Sequence, residues 1–182
     1  MEGYLYADTY ELPLENTVEA LVTRATNRTL KALAGLTIPE DGQLSDMHEV
    51  VTLASIVQRE AVLSREMPLI ASIYLNRLRK GMKLQADPTM TYAPETWSQA
   101  ASPAHRKNKA NIFNTYAREG LPPGPIGAVG EHALRAVLRP AESEFLFFVA
   151  LGDGTGGHAF SRTFEEHRRN VDNYRKARKS QR

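Results

Sequence analysis

Among 182 residues without a single Cys, one carboxylate has a setting that suits chemistry. Glu60 closes the run Val50 to Ala61, where Met47, Val50, Ala54, Val57 and Ala61 recur at steps of three and four and form an apolar helical stripe. It lies one turn from Ile56 and Val57, so its carboxyl group emerges at the border of that stripe. Poor solvation there disfavours the charged form and raises the pKa, as a general acid working near neutral pH requires. The plainer alternative is a surface Glu whose stem drapes over apolar neighbours. Further along are hydrogen-bonding side chains that could orient a polar substrate: Gln85, Asp87, Asn114 and Tyr116. One acid with several polar and aromatic groups suits carbohydrate chemistry, where a carboxylic acid protonates a glycosidic oxygen.

Other chemistries lack their residues. The absence of Cys removes disulfides, thiolate metal sites and Cys nucleophiles. The five His residues, His48, His105, His132, His158 and His167, show no i, i+4 pair, so no metal ligand set is legible. No Gly-x-Ser-x-Gly occurs. The Gly-rich stretch 152–157 precedes a strand and lacks the Lys-Ser or Lys-Thr of a phosphate loop. A formal charge of +2 gives no reason to expect a nucleic-acid partner. The basic tail, Arg168, Arg169, Arg175, Lys176, Arg178, Lys179 and Arg182, reads as a solvated helix end.

The elements that must position these groups can be read in order. Residues 2–12 suggest a short extended segment or strand closed by Pro13. Asn16 with Glu19 marks the head of a first helix, ended by Gly35, and Asp46 with Glu49 marks the head of the helix carrying Glu60. A third helix begins near Pro68, stops at Gly81 and should pack on the second. Asp87 before Pro88 is expected to cap a short helix, which competes with a role as second acid. Residues 93–111 read as a polar surface excursion in which Trp97 is either a loop anchor or a sugar-stacking platform.

The run 120–127, dense in Pro and Gly, is a rigid cleft wall or a rigid connector. A short helix over Glu131 to Leu138 follows. Phe145 to Ala150 is apolar throughout and is expected to be central in a sheet, returning as a hairpin through His158 to Ser161. Thr163 with Glu166 heads a terminal helix. The expectation is a single α+β domain, a helical core with a small antiparallel hairpin, over residues 1–182. No stretch has the roughly 18 apolar residues that a membrane span needs. The abrupt start on structured sequence suggests a piece of a longer protein.

Several stretches together resemble the YceG-like family of endolytic murein transglycosylases. They are Glu2-Gly3-Tyr4-Leu5 with Asp8-Thr9-Tyr10, Leu53 to Val57 with Glu60, Asn76-Arg77-Leu78 and Gly81-Met82. Leu84 to Thr89, Asn114-Thr115-Tyr116, Gly120 to Ile126, and His158-x-Phe160-Ser161 with His167 continue the set in order. The resemblance implies a membrane-anchored bacterial lyase that cuts peptidoglycan glycan strands internally, with its catalytic domain outside the cytoplasmic membrane and cell wall synthases (penicillin-binding proteins) as partners. This chain would be the catalytic region without the N-terminal membrane helix and LysM-like module. Glu60 matches the family's catalytic Glu, used as acid on the oxygen leaving C1 of N-acetylmuramic acid and then as base on that sugar's C6 hydroxyl, which leaves a 1,6-anhydro end.

The implied chemistry needs no cofactor. The N-acetyl group can assist, leaving Gln85, Asp87, Asn114 and Tyr116 for the sugar or for structural hydrogen bonds. The chain departs from the family pattern at Ala7, where Pro is usual, at Ala128-Val129-Gly130, where Asn-Pro-Gly is usual, and at Gln58, where an acid is common. The last change singles out Glu60. A non-catalytic glycan-binding scaffold is the rival reading. An aminodeoxychorismate lyase would need a pyridoxal phosphate Lys, and no Lys here has such a setting.

Overall fold

The structure, a computed structural model, describes residues 2–6, 8–11, 17–38, 42–94, 96 and 99–180. Asn16, Trp97 and Ala7 lie outside the described residues. Among them, seven α-helices and one hairpin follow in order: α1 (Val18–Leu33), α2 (Met47–Glu60), α3 (Met67–Arg79), α4 (Asp87–Met90), α5 (Pro103–Lys107), α6 (Glu131–Leu138), β1 (Phe147–Ala150), β2 (His158–Ser161) and α7 (Phe164–Ser180). The α+β expectation, helices with a small antiparallel hairpin, is what the structure has.

The centre is α2. Instead of one apolar stripe, all eight residues from Val50 to Val57 are buried, while the stripe's expected ends, Met47 and Ala61, are only partly covered. A helix buried on every side needs neighbours on every side. These are α3, α6 and α4. Residues 120–127 also cross it: Ile126 is fully buried and its N–H donates to Ser55 Oγ at 3.0 Å. Ser55 in turn donates to Thr52 O, which lets a polar residue sit inside the core without an orphaned hydroxyl. At the other end of that run, His48 Nε2 lies 3.2 Å from Pro123 O, and Tyr4 OH lies 3.2 Å from His48 Nδ1.

The caps explain where helices start and stop. Asp46 Oδ1 accepts from Glu49 N at 2.8 Å, and Glu49 reaches back to Ser45 N. Before α7, Thr163 and Glu166 bond reciprocally, each backbone N–H donating to the other's side chain. The first helix is capped one residue later than expected, by Thr17, which accepts from Ala20 N at 3.3 Å. Past the end of α3, Gly81 adopts φ +63° and Met82 N bonds to Arg77 O, so a left-handed residue turns the chain as expected.

One expectation narrows and one fails. The described residues before α1 form no strand: Tyr6 N bonds to Ala25 O and Thr29 Oγ1 to Tyr4 O, so this segment is tied to α1. The strand at Phe147–Ala150 is not central, because among the described residues β2 is its one partner, antiparallel with Phe148 opposite Phe160. Its apolar residues instead serve two helical neighbours. Phe147 stacks on His167 of α7 at 5.3 Å, and Phe148 meets Tyr74 of α3 edge-on at 5.9 Å. The polar excursion also contains α5, opened by Ser102, whose hydroxyl accepts from His105 N. As read from the sequence, the basic terminal helix has no buried residue.

Candidate active site

Glu60 is the last residue of α2, where the chain leaves the core. Its side chain is partly exposed, yet protein atoms crowd the carboxyl group enough to push its pKa up to about 7, burial being the main cause. The negative charge of Asp87 raises it further, while the hydrogen bond from Tyr74, the backbone N–H of Asp87 and the Arg77 guanidinium all pull it down. The C-terminal end of a helix also disfavours a negative charge, so the position on α2 acts in the same direction as burial. The hydroxyl of Tyr74 donates to Glu60 Oε1 at 3.0 Å.

Two sequence-distant motifs are brought to this carboxylate by a zip of threonines. Thr115 Oγ1 accepts from Ala86 N at 3.0 Å, Thr115 N donates to Thr89 Oγ1 at 3.2 Å, and Gln85 N donates to Thr115 O at 3.2 Å. All three bonds are buried or backbone-paired, so residues 84–89 and 114–116 are fastened to each other beside Glu60. Asp87 is thereby placed next to Glu60, but not as a helix cap. Ala86 occupies the N-cap position of α4, and the Asp87 carboxylate instead accepts the hydroxyl of Tyr116, with Arg106 NH2 at 3.6 Å. Pro88 sits in the first turn of α4, and Asp87 is the residue that begins it. The guanidinium of Arg106 also lies over the Tyr116 ring, 5.0 Å from its centroid. Burial and the bond to Asp87 push the Tyr116 phenol pKa up, so it stays a donor.

The other two predicted residues differ in kind. Asn114 is fully buried, and its Nδ2 donates to the carbonyls of His105, Arg106 and Asn108 while Oδ1 accepts from Tyr116 N. Its amide thus holds the loop that presents Tyr116 and Arg106. Gln85 is exposed, and it is the non-glycine residue that adopts a positive φ, +51°, among those described. A side chain kept in the left-handed region carries strain of about 1–2 kcal/mol, and such residues cluster at functional sites.

Tyr74, Arg77 and Arg106 were not singled out as site residues. Tyr74 looks like one more member of an apolar helix face, and only its hydroxyl reveals the role. Arg77 is buried, with Nε on Leu146 O at 2.7 Å and NH1 on Leu84 O at 2.6 Å, so it anchors both the approach to β1 and the start of the 84–89 motif. Asn76 beside it holds Ser143 O and Phe145 O. The conspicuous motif 76–78 is therefore a fastening. His158, from another of the motifs, pairs its Nδ1 with Glu66 Oε2 at 2.7 Å and fixes the hairpin to the turn that follows Glu60. Among the described residues, no group of three or more His, Asp or Glu could hold a metal ion.

A partly desolvated carboxyl group with a pKa near 7 thus lies beside one donor phenol and the Asp87 carboxylate, in a mainly helical fold with a small hairpin. The chain belongs to the YceG-like family, whose model matches residues 1–173. It is 31% identical over 179 residues to the endolytic murein transglycosylase of Bacillus subtilis, covering 96% of this chain and 48% of that protein. It is 30% identical over 176 residues to the endolytic murein transglycosylase of Streptococcus pneumoniae D39, covering 94% of this chain and 32% of that protein. The crystal structure of a YceG-like protein from Listeria monocytogenes is similar, with a TM-score of 0.75 and 34% identity over 92% of this chain and 54% of that one. The chain thus spans about half or less of the length of the curated relatives it matches. No helix among the described residues is long and apolar enough to cross a membrane.

Proposed function

We propose that this chain carries a lytic transglycosylase centre for peptidoglycan, with Glu60 as acid and then base. The observation that carries the reading is the carboxyl group of Glu60, with a pKa of about 7, at the exit of the central helix beside Asp87 and Tyr74. In the first step the protonated carboxyl gives its proton to the glycosidic oxygen between N-acetylmuramic acid and N-acetylglucosamine. The C1–O bond breaks and its electron pair stays with the departing sugar's hydroxyl. In the second step the resulting carboxylate takes the proton of the muramyl C6 hydroxyl as that oxygen bonds to C1. The proton count on Glu60 is restored and a 1,6-anhydro end is formed.

A group that both gives and takes a proton works best with a pKa near the working pH, and Glu60 at about 7 meets that condition. Burial does most to keep Glu60 protonated and the Asp87 carboxylate adds to it, while that carboxylate is itself engaged by Tyr116 and Arg106. Gln85, with its strained backbone, and Tyr116 contact the sugar, and Asn114 holds the loop beneath them. The same reading makes the chain the catalytic region of a longer, membrane-anchored protein that acts on glycan strands outside the cytoplasmic membrane alongside cell wall synthases. The greater length of its relatives supports the longer protein in this reading.

The test is to incubate the purified chain with sacculi and look for anhydromuramyl ends by mass spectrometry. Wild type is expected to produce them, and Glu60→Gln to keep the fold and glycan binding without producing them. Ordinary activity in Glu60→Gln would sink the assignment. Binding by wild type without any new anhydro ends would favour a scaffold.

A further inference from the structure

We infer that Tyr74 is a positioning residue that decides which oxygen of Glu60 handles the proton: Oε1 is held as acceptor, and Oε2 gives a proton to the substrate and takes one back. The inference rests on the acid and base role of Glu60 proposed above. Its own basis is geometric. The phenol oxygen is 3.0 Å from Glu60 Oε1, and Tyr74 is 1% exposed, so no water competes for the hydroxyl. The ring cannot swing away, because Phe148 from β1 stands edge-on against it at 5.9 Å and 88°. Phe148 is in turn braced edge-on by His158, which Glu66 holds from the turn after α2. The hairpin therefore has a purpose at the site, though none of its residues touches Glu60 through a hydrogen bond among those described.

The chemistry follows from what each oxygen can do. A neutral carboxyl group has one oxygen that only accepts and one that carries the proton. A phenol pointing its hydrogen at Oε1 matches the tautomer protonated on Oε2 and clashes with the other. Burial and the neighbouring carboxylate push the Tyr74 pKa well above its usual value, so it stays a donor throughout. When Oε2 has released its proton, the same bond becomes charge-assisted and stronger, joined by the backbone N–H of Asp87. Tyr74 therefore favours the ionised form and keeps burial from making Glu60 too weak an acid. The titratable and charged groups acting on Glu60 are Tyr74 and Arg77 from α3, Asp87 from α4 and Tyr116 from the 111–118 loop. Of these, Tyr74 is the one that donates a side-chain hydrogen bond to it.

The experiment compares wild type, Tyr74→Phe and Asp87→Asn. The Phe ring keeps the contact with Phe148, so only the hydroxyl is lost. With 13C-labelled Glu, the Glu60 carboxyl titration is followed by NMR. Its midpoint should rise by about one pH unit in Tyr74→Phe, for loss of one hydrogen bond to the charged form, and should fall in Asp87→Asn, where the repelling charge is gone. On sacculi, Tyr74→Phe should lower kcat about tenfold with KM unchanged, and the falling limb of activity against pH should move upward with the NMR midpoint. A residue that merely supports the fold would move neither the midpoint nor the limb. An unmoved or lowered midpoint in Tyr74→Phe overturns the role of Tyr74 while leaving the functional reading intact. Absence of anhydro ends from wild type, with the midpoint raised in the variant, overturns the functional reading instead.

Discussion

Replacing Glu60 by Gln should stabilise the protein, and only at the high end of the pH range. Between its ordinary value of 4.5 and its folded value of about 7, Glu60 is protonated in the folded chain and ionised in the unfolded one. The folded state then binds more protons, so stability falls as pH rises through this window; the contribution is complete below 4.5 and lost above 7. Multiplying that difference by about 1.4 kcal/mol per pH unit gives roughly 3.5 kcal/mol. Residual solvent access reduces this to about 2–3 kcal/mol. Gln carries no charge at any pH, and its carbonyl can still accept the Tyr74 hydroxyl. Urea unfolding of wild type and Glu60→Gln, followed by circular dichroism, should give matching stabilities near pH 4. By pH 8 the variant should lead by about 2–3 kcal/mol, or roughly 5–10 °C in Tm. The two proteins differ at this side chain alone, so the difference in their pH dependence reports Glu60 together with the groups it interacts with. An advantage that is equal at both pH values, or a deficit at pH 8, refutes the claim that this carboxyl is held protonated by its surroundings.

Two further perturbations probe the loops around it. Gln85→Gly relieves the left-handed backbone at φ +51°, and after the entropy that glycine adds to the unfolded chain it should still stabilise by about 0.5 kcal/mol while lowering activity on sacculi. A loss of stability in thermal unfolding would show that no strain is stored there. Asn114→Ala strips partners from three carbonyls and from the N–H of Tyr116, and should destabilise by about 3 kcal/mol with faster hydrogen exchange at Tyr116. A change below about 1 kcal/mol would mean that water replaces the amide and that Asn114 is not the fastening described.

What could be read ahead of the structure depended on how local its cause was. Capping pairs such as Asp46 with Glu49 and Thr163 with Glu166 are complete within four residues, and the structure has both. The bounds of α6, from Glu131 to Leu138, needed only a short apolar pattern and Pro140. The position of Phe147–Ala150 in its sheet is a long-range matter. An apolar run says that a strand is covered on both faces, and here the cover is α3 and α7 side chains rather than more strands. Asn114 and Gln85 could not be told apart as sequence, since both are amides in motifs. One is wholly enclosed by carbonyls and the other stands exposed on a strained backbone, a difference made by residues 105–108 and Thr115. Asp87 looked like a cap because Pro88 follows it, yet Tyr116, 29 residues on, claims its carboxylate.

The raised pKa of Glu60 has a local cause and a remote one. Locally, a carboxylate at the final position of a buried helix faces the negative end of that helix and has apolar neighbours one turn back, which sequence alone can show. Those influences only push upward, and unopposed they would leave an acid reluctant to give up its proton. The opposing donors come from elsewhere: the Tyr74 hydroxyl from α3, the Asp87 amide from α4 and the more distant Arg77 charge. A value near 7 is therefore a balance struck by the tertiary fold, and the hairpin that braces Tyr74 through Phe148 takes part in it. Loosening that brace should upset the balance even though every group that titrates is still present.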